Sequence, residues 1–494
     1  MLARGLSSLG RGAFPDARSA WQDLTRRARN DFAGWYSLAA CLSQDNIVLS
    51  DAKSPSRWSF RSSYHQAVKA YQRAFELLPS IHKTLSRDSY ATVRQLLKTS
   101  GNMVRTGHAA SPDTTTFAAH ASWVGDTLAF VPYGRRREEV GTLSDMRVAV
   151  QRQRQLFYNI ATAWVSAAPS SPEALEALAI SHELLEDPSA LDDIQRARRA
   201  SSNPSQQMRL AVAEVWLRVK FSVPRDTSGL RTARVLADSL IAAHAVNHEQ
   251  VALDVAGLAL LTGRGQLAAA LSRDRTVEAQ NGVPPQLNRI ALPLLVFATL
   301  GGPADSIREL EEQASATIAN RIVSVTQDQV RIPWLVRPAR LSFPEYTFSS
   351  IQELARVDFL IDAQVALLRG DTGAVRRAFA AIRVARRFVS PSDVAMEGVL
   401  AEARLLATIA DTAAAINWLD ASLGAITGTA PGALGNIPNA GAFVRAMMLR
   451  AELAQLVGDS ASAARWASVV AILWSNADPF LQPAVTRMTR LRTS

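Results

Sequence analysis

Apolar residues recur along this chain at three- and four-residue spacing, in stretches broken by short turns that carry Gly or Asp. Glu173 to Pro204 sets Leu175, Leu178, Ala179 and His182 on one helical face, breaks at Asp187-Pro188, and resumes with Leu191, Ile194 and Ala197 on a second. Val251 to Leu271 gives Leu253, Ala256, Gly257 and Leu260, a turn at Gly263-Arg264-Gly265, then Ala269. Phe359 to Phe388 carries Ala363 and Leu367, a turn at Gly370-Asp371, then Val375, Phe379 and Ile382. Gly398 to Leu423 turns near Asp411, and Met447 to Leu473 turns at Gly458-Asp459 before Ala463, Ala467 and Val470. Each segment predicts two amphipathic helices joined by a tight turn. Strand alternation is absent over any useful length, so no sheet is expected.

The most explicit pair begins Trp35-Tyr36-Ser37-Leu38-Ala39 with Leu42, and continues as Tyr64-His65-Gln66-Ala67-Val68-Lys69-Ala70-Tyr71-Gln72-Arg73-Ala74 with Leu77 and a closing Pro79. These residues resemble the tetratricopeptide repeat (TPR), in which small residues such as Ala39 and Ala67 let two helices approach while Trp35 and Tyr71 fill the gaps. Between Leu42 and Tyr64 lie about sixteen residues more than a 34-residue repeat holds. They include Asp45, Asp51, Pro55, Trp58 and Phe60 and are expected to form a loop on one edge. Gly12, Phe14, Ala17 and Trp21 occupy the turn and second-helix positions of a preceding repeat. A repeat-length step back from Trp35 lands on Met1, so the chain is expected to open inside a first helix, as the remainder of something longer or from a late start.

The fold expected is therefore all-α: a right-handed superhelical solenoid of TPR-like hairpins with loop insertions, of roughly 20 or more helices and at most about 14 pairs. Its expected divisions are N-terminal repeats over 1–99 with an insertion at 43–63, and an irregular basic segment over 100–146. Central repeats over 147–325, a Pro/aromatic loop over 326–350 and C-terminal repeats over 351–494 follow. The last loop holds Pro333, Pro338 and Pro344 beside Trp334, Phe343 and Tyr346, as befits a segment laid over a surface.

Two stretches, Trp58 to His82 and Gly458 to Val485, are similar to the C-terminal repeat regions of bacterial transmembrane serine/threonine protein kinases. That resemblance implies a region that senses or binds a partner beyond a membrane helix, and an extracytoplasmic location for it. No Gly-rich loop, Val-Ala-Ile-Lys-like segment or His-Arg-Asp loop is present, and Asp31-Phe32-Ala33 at a repeat start is read as coincidence, so no kinase residue carries over. Residues 1 to 20 are interrupted by Arg4, Arg11, Asp16 and Arg18, which leaves no signal-peptide core. The most apolar stretch, Ile290 to Leu300, contains Pro293 and falls short of the roughly 20 residues that span a bilayer. A soluble, cytoplasmic protein is expected from the chain as it stands.

Charge sharpens the picture locally. The formal net charge is +10, yet residues 1–160 hold 22 Lys/Arg against 12 Asp/Glu while residues 161–494 hold 32 against 32. Arg57, Arg61, Lys69, Arg73, Arg94, Lys98, Arg105 and Arg135 to Arg137 lie among Trp58, Tyr64 and Tyr71. Nucleic-acid binding is disfavoured because Tyr71 and Tyr64 fall on repeat core positions and no recognised reader is present. Attraction to an acidic protein partner or to an anionic membrane surface uses the same charges.

Other candidate chemistry reads as structure. The single cysteine, Cys41, excludes an internal disulfide and a multi-cysteine metal site. Gly263-Arg264-Gly265-Gln266-Leu267-Ala268 matches a dinucleotide fingerprint but follows helical spacing rather than a strand, and reads as a turn. His244 and His248 lack a third ligand, and no metal or other cofactor is expected. Glu173, Glu176, Glu183, Glu186 and Asp187 read as a solvated acidic face. The function expected is non-catalytic: a scaffold holding a peptide or protein on a concave helical surface. Its candidate contacts are Tyr36 and Ser43 on the inner face of the clearest repeat, Arg57, Trp58 and Arg61 from its insertion, and Arg135, Arg136 and Arg137. The basic clamp that some TPR proteins use for C-terminal carboxylates is not reproduced, since Tyr36, Ser37 and Ala40 stand in its place.

Overall fold

The computed structural model describes residues 2–53, 58–81, 104–109, 116–120, 129–132, most of 154–166, 168–244, 252–273, 285–319, 359–386, 394–429, 434 and 437–493. The chain is an all-α protein of TPR-like hairpins, with short strands confined to two segments before residue 133. It divides into two compact units, Met1–Ala200 and Ser201–Ser494.

In the first unit, α1 (Leu2–Gly10), α2 (Phe14–Arg27), α3 (Phe32–Gln44) and α4 (Tyr64–Ile81) form successive hairpins, followed by helical residues within 154–166, α5 (Pro172–Leu184) and α6 (Ala190–Ala200). The small and large residues of the repeat pattern do what their spacing requires. Ala17, Trp21, Leu38, Ala39, Leu42, Ala67 and Tyr71 share one buried cluster with Phe157, Trp164 and Ala174. The helix α4 continues past the expected stop at Pro79 to Ile81.

The two segments read as loops contribute strands to a single sheet of order β2-β1-β3-β4-β5, contrary to the expectation of none. Strands β1 (Ile47–Ser50) and β2 (Trp58–Phe60) come from the insertion, and β3 (Val104–Ala109), β4 (Thr116–His120) and β5 (Ala129–Pro132) from the basic segment. Antiparallel pairing sets Val48 against Phe60, and parallel pairing sets Ile47 against His108. Strands of three to six residues are too short for alternation to register, and the joining pair is about sixty residues apart in sequence. Pro132 lies in an edge strand, where a missing N–H breaks no ladder.

The second unit holds α7 (Pro204–Ser222), α8 (Thr227–His244), α9 (Ala252–Leu261), α10 (Gly265–Arg273), α11 (Pro285–Leu300) and α12 (Ala304–Ala319). After these come α13 (Phe359–Leu368), α14 (Thr372–Arg386), α15 (Met396–Thr408), α16 (Thr412–Ala425), α17 (Ile437–Leu456), α18 (Ser460–Leu473) and α19 (Gln482–Thr493). Hairpin turns repeat one device. A residue at positive φ, Gly263, Gly370, Ala410 or Gly458, ends the first helix, and the next amide bonds back five residues, as Arg264 N–H to Ala259 O and Asp459 N–H to Ala454 O. Asp411 and Asp459 then cap the second helix by accepting from Ala414 and Ser462 amides. The dinucleotide-like run is accordingly the α9–α10 turn.

Neighbour-to-neighbour stacking is supplemented by long-range packing. Helix α17 lies against α9, α11, α15, α16 and α18, and α18 also meets α8. Helix α17 is buried on nearly all sides, and its apolar residues are spread around it rather than along one stripe. Its residues satisfy helix ends elsewhere. Arg445 Nη1 donates to the Ala298 and Thr299 carbonyls at the end of α11, at 3.0 and 2.9 Å, and Asn439 Oδ1 accepts from the Met396 amide that opens α15. Asp478 accepts from the Gln266 amide at the start of α10.

Candidate functional site

Helices α3 and α4 carry the site that the sequence points to, and the insertion between them is closed by a charged clasp. Asp45, one residue past α3, is 0% exposed. Its carboxylate accepts from Arg61 Nε at 3.0 Å, Arg61 Nη2 at 2.6 Å and Ser62 Oγ at 2.5 Å. Arg18 of α2 donates to the Arg61 carbonyl at 2.9 Å and reaches Ser62 Oγ at 3.3 Å. The Arg61 amide in turn donates to Ile47 O, which ties the strands to the clasp. Burial pulls the Asp45 carboxyl upward, but donors from Arg61, Ser62 and Ile47 together with the Arg61 charge outweigh it and hold the group below its ordinary value. Burial, joined by the Asp45 charge, pushes the nearby Cys41 thiol up to about 11, so it is no nucleophile at neutral pH.

Above this clasp the aromatic residues of the hairpin meet. Tyr36 stacks on Phe32 with ring centres 5.7 Å apart and meets Tyr71 edge-on at 5.7 Å. Its phenol is half-buried and shifted upward by that burial. Ser43, two turns along the same face, donates to Ala40 O at 2.9 Å and lies 3.4 Å from the Tyr71 hydroxyl. Tyr71 is 3% exposed, which places it in the core, as the repeat pattern implied. Arg73 on the flank of α4 pairs with Glu76 at 3.1 Å and Asn30 at 3.0 Å.

Of the residues proposed from sequence, the structure brings Tyr36 and Ser43 together. Arg61 serves differently from the expected ligand contact: its guanidinium is committed to Asp45, and its role is to hold the insertion shut. Trp58 opens β2, and Arg57 and Arg135 to Arg137 lie outside the described residues. So do His248, Arg94, Lys98 and the 326–350 loop.

The acidic segment of α5 departs from the solvated face expected of it. Glu176 and Glu183 are buried, because α5 packs against both α6 and the cluster of Phe157 and Trp164. Sequence reading also missed a pairing across the α5–α6 turn, where His182 Nδ1 lies 2.6 Å from Asp193 Oδ2 beneath the Tyr158 ring, and Arg196 donates to the other Asp193 oxygen at 3.0 Å. His182 stood out only as a polar residue on an apolar face. Among the described residues no group of three or more His, Cys, Asp or Glu could hold a metal ion. No helix among them is long and apolar enough to cross a membrane.

No family model and no curated protein matches the chain. Among solved structures, a circular tandem repeat protein with novel repeat topology is similar over 98% of this chain and 91% of its own, at 12% identity and a TM-score of 0.25. Yeast Tom70 is similar over 99% of this chain and 94% of its own, at 11% identity and a TM-score of 0.25. Likeness at these TM-scores carries nothing about partner or activity, and none of these comparisons bears on the resemblance to kinase repeat regions.

Proposed function

We propose that this protein is a non-catalytic scaffold whose N-terminal unit binds an acidic peptide or protein segment on the α3–α4 hairpin and its insertion. The observation that carries this reading is the half-buried Tyr36 ring, fixed between Phe32 and Tyr71 with Ser43 on the same face. A ring already ordered in the free protein loses little freedom on binding, and rigid aromatic residues are where binding energy concentrates. The excess of 22 basic over 12 acidic residues before residue 161 favours an acidic partner. Arg57, Trp58 and Arg135 to Arg137 are proposed as further contacts on the strength of their residue types alone.

The test is binding of a fluorescent acidic peptide library to the full chain, with selected peptides titrated against Tyr36→Ala and against Leu456→Ser, an exposed position in the other unit. The reading expects Tyr36→Ala to weaken binding about tenfold or more, since such truncations at an interface centre remove about 2 kcal/mol, and Leu456→Ser to leave it unchanged. Equal affinities for all three proteins contradict it. A steep salt dependence with single-stranded DNA as competitor would instead mark a nucleic-acid surface.

A further inference from the structure

Among the described residues of the C-terminal unit three arginines are buried, and two of them have well-formed hydrogen bonds to acceptors of their own. Arg445 caps the α11 carbonyls, and Arg450 grips Asp420 through Nε at 2.7 Å and Nη2 at 3.0 Å. The third, Arg234 in the middle of α8, has a side chain only 6% exposed. Its Nη1 is ion-paired with Asp238 one turn along, while Nε and Nη2 find no hydrogen-bond acceptor among the described residues. Asp238 is already engaged: its Oδ1 accepts from Arg264 Nη2 across the unit, from the α9–α10 turn. Among the described residues two guanidinium groups thus share one carboxylate, one positive charge more than it balances.

We infer that Arg234, Arg264 and Asp238 form a binding site for a single oxyanion, a carboxylate or a phosphate. A buried guanidinium presents five N–H donors in a planar fork that matches those groups, and Nε and Nη2 of Arg234 are free to meet one while Nη1 stays with Asp238. Water can accept from such donors but brings no charge, whereas an oxyanion supplies both. Access lies on the outer side of the cluster, where Arg264 is 26% and Asp238 34% exposed, so solvent reaches the edge of the group whose base is Arg234. Asp238 repels an anion at one edge, which favours a ligand that meets Arg234 and Arg264 away from it. The Arg264 position follows from the turn: Gly263 at φ +75° aims the next residue back toward α8 rather than along α10. The inference is independent of the peptide surface proposed for the N-terminal unit, since the residues and the probes are different.

The experiment uses the full chain and two probes, inorganic phosphate and succinate, each titrated against chloride at constant ionic strength, with thermal unfolding and calorimetric titration as readouts. A saturable rise in Tm with either oxyanion, absent in chloride, is expected, and the anion that gives it identifies whether phosphate or carboxylate is the natural group. Arg234→Met is expected to weaken the apparent affinity about tenfold or more, because it removes the charge-assisted donors. Its Tm in chloride should stay close to that of the parent, since Asp238 keeps Arg264 as partner and the excess buried cation is replaced by an apolar chain of similar length. Arg264→Gln, at a half-exposed turn, should also weaken binding and keeps the test open should Arg234→Met not fold. No saturable response to either anion overturns the inference, as does a response that Arg264→Gln and Arg234→Met leave unchanged.

Discussion

In the N-terminal unit the buried carboxylate of Asp45 closes the chain on itself: Arg61, Ser62 and Arg18 converge on a point where two helices and a sheet strand begin or end. In the C-terminal unit the equivalent closure is apolar. Trp474, Phe443, Leu473 and Met447 are fully buried around α17 and α18, and of the polar contacts there those of Arg445 and Asn439 cap helix ends while Arg450 pairs with Asp420. The first unit carries a polar clasp because its repeat is split by an insertion whose strands must be anchored. The second carries intact hairpins and can spend its interior on packing. A charged clasp leaves an aromatic face ordered at the surface, whereas a packed core leaves little to display.

The largest expected effect strikes the packed unit. Trp474→Ala should destabilise the C-terminal unit by about 4 kcal/mol, the range for removing a buried Trp, and accelerate amide exchange in α8, α17 and α18. Protection in α2 to α4 should be retained, and a uniform loss across both units would break the contrast. Asp45→Ala should destabilise the N-terminal unit by about 2 kcal/mol, below the loss for a fully buried pair because Arg61 is partly exposed. Exchange should rise in β1 and β2 and not around α17.

The clasp also makes the first unit acid-sensitive. The folded Asp45 carboxyl ionises below its unfolded value, so its contribution is fully present above that unfolded value, about 3.9, and is lost as pH falls through the lower folded one. Exchange protection of the 45–62 segment should fall in that acid window in the parent and be flat there in Asp45→Asn. A smaller effect, of opposite sign, concerns Ala410, which holds φ +64° where the α9–α10, α13–α14 and α17–α18 turns use Gly. Ala410→Gly should raise the stability of the C-terminal unit by about 0.5–1 kcal/mol, read as a shift of its denaturant midpoint. Cys41, buried with its thiol raised to about 11, should resist alkylation at pH 8 until the N-terminal unit unfolds.

Hairpins were legible wherever a local code marks them. Gly-Asp at 370–371 and 458–459 names both the left-handed end of one helix and the cap of the next, and Trp35 to Ala74 spells the packing of a pair. Local code does not reach caps supplied from elsewhere in the chain. Nothing near Met396 shows that Asn439 closes its helix, and nothing near Thr299 shows that Arg445 does. The sheet escaped for the same reason, since Ile47 finds His108 through a pairing that neither short strand encodes alone. At the candidate site, aromatic residues were recognisable by type, while the burial of Asp45 turned Arg61 from a surface cation into a structural one. Arg234 carried no sequence signal at all, because its burial beside a carboxylate shared with Arg264 is a property of the packed helices.

The central claim is that the ordered aromatic face of the N-terminal unit, and not the packed C-terminal unit, receives the partner. A photoreactive phenylalanine analogue placed at Tyr36, and separately at the exposed Leu456, tests it with a selected acidic peptide in hand. The account expects a discrete cross-linked adduct from position 36 that excess unlabelled peptide abolishes, and none from position 456. Adducts of equal yield from both positions, or from 456 alone, would contradict it.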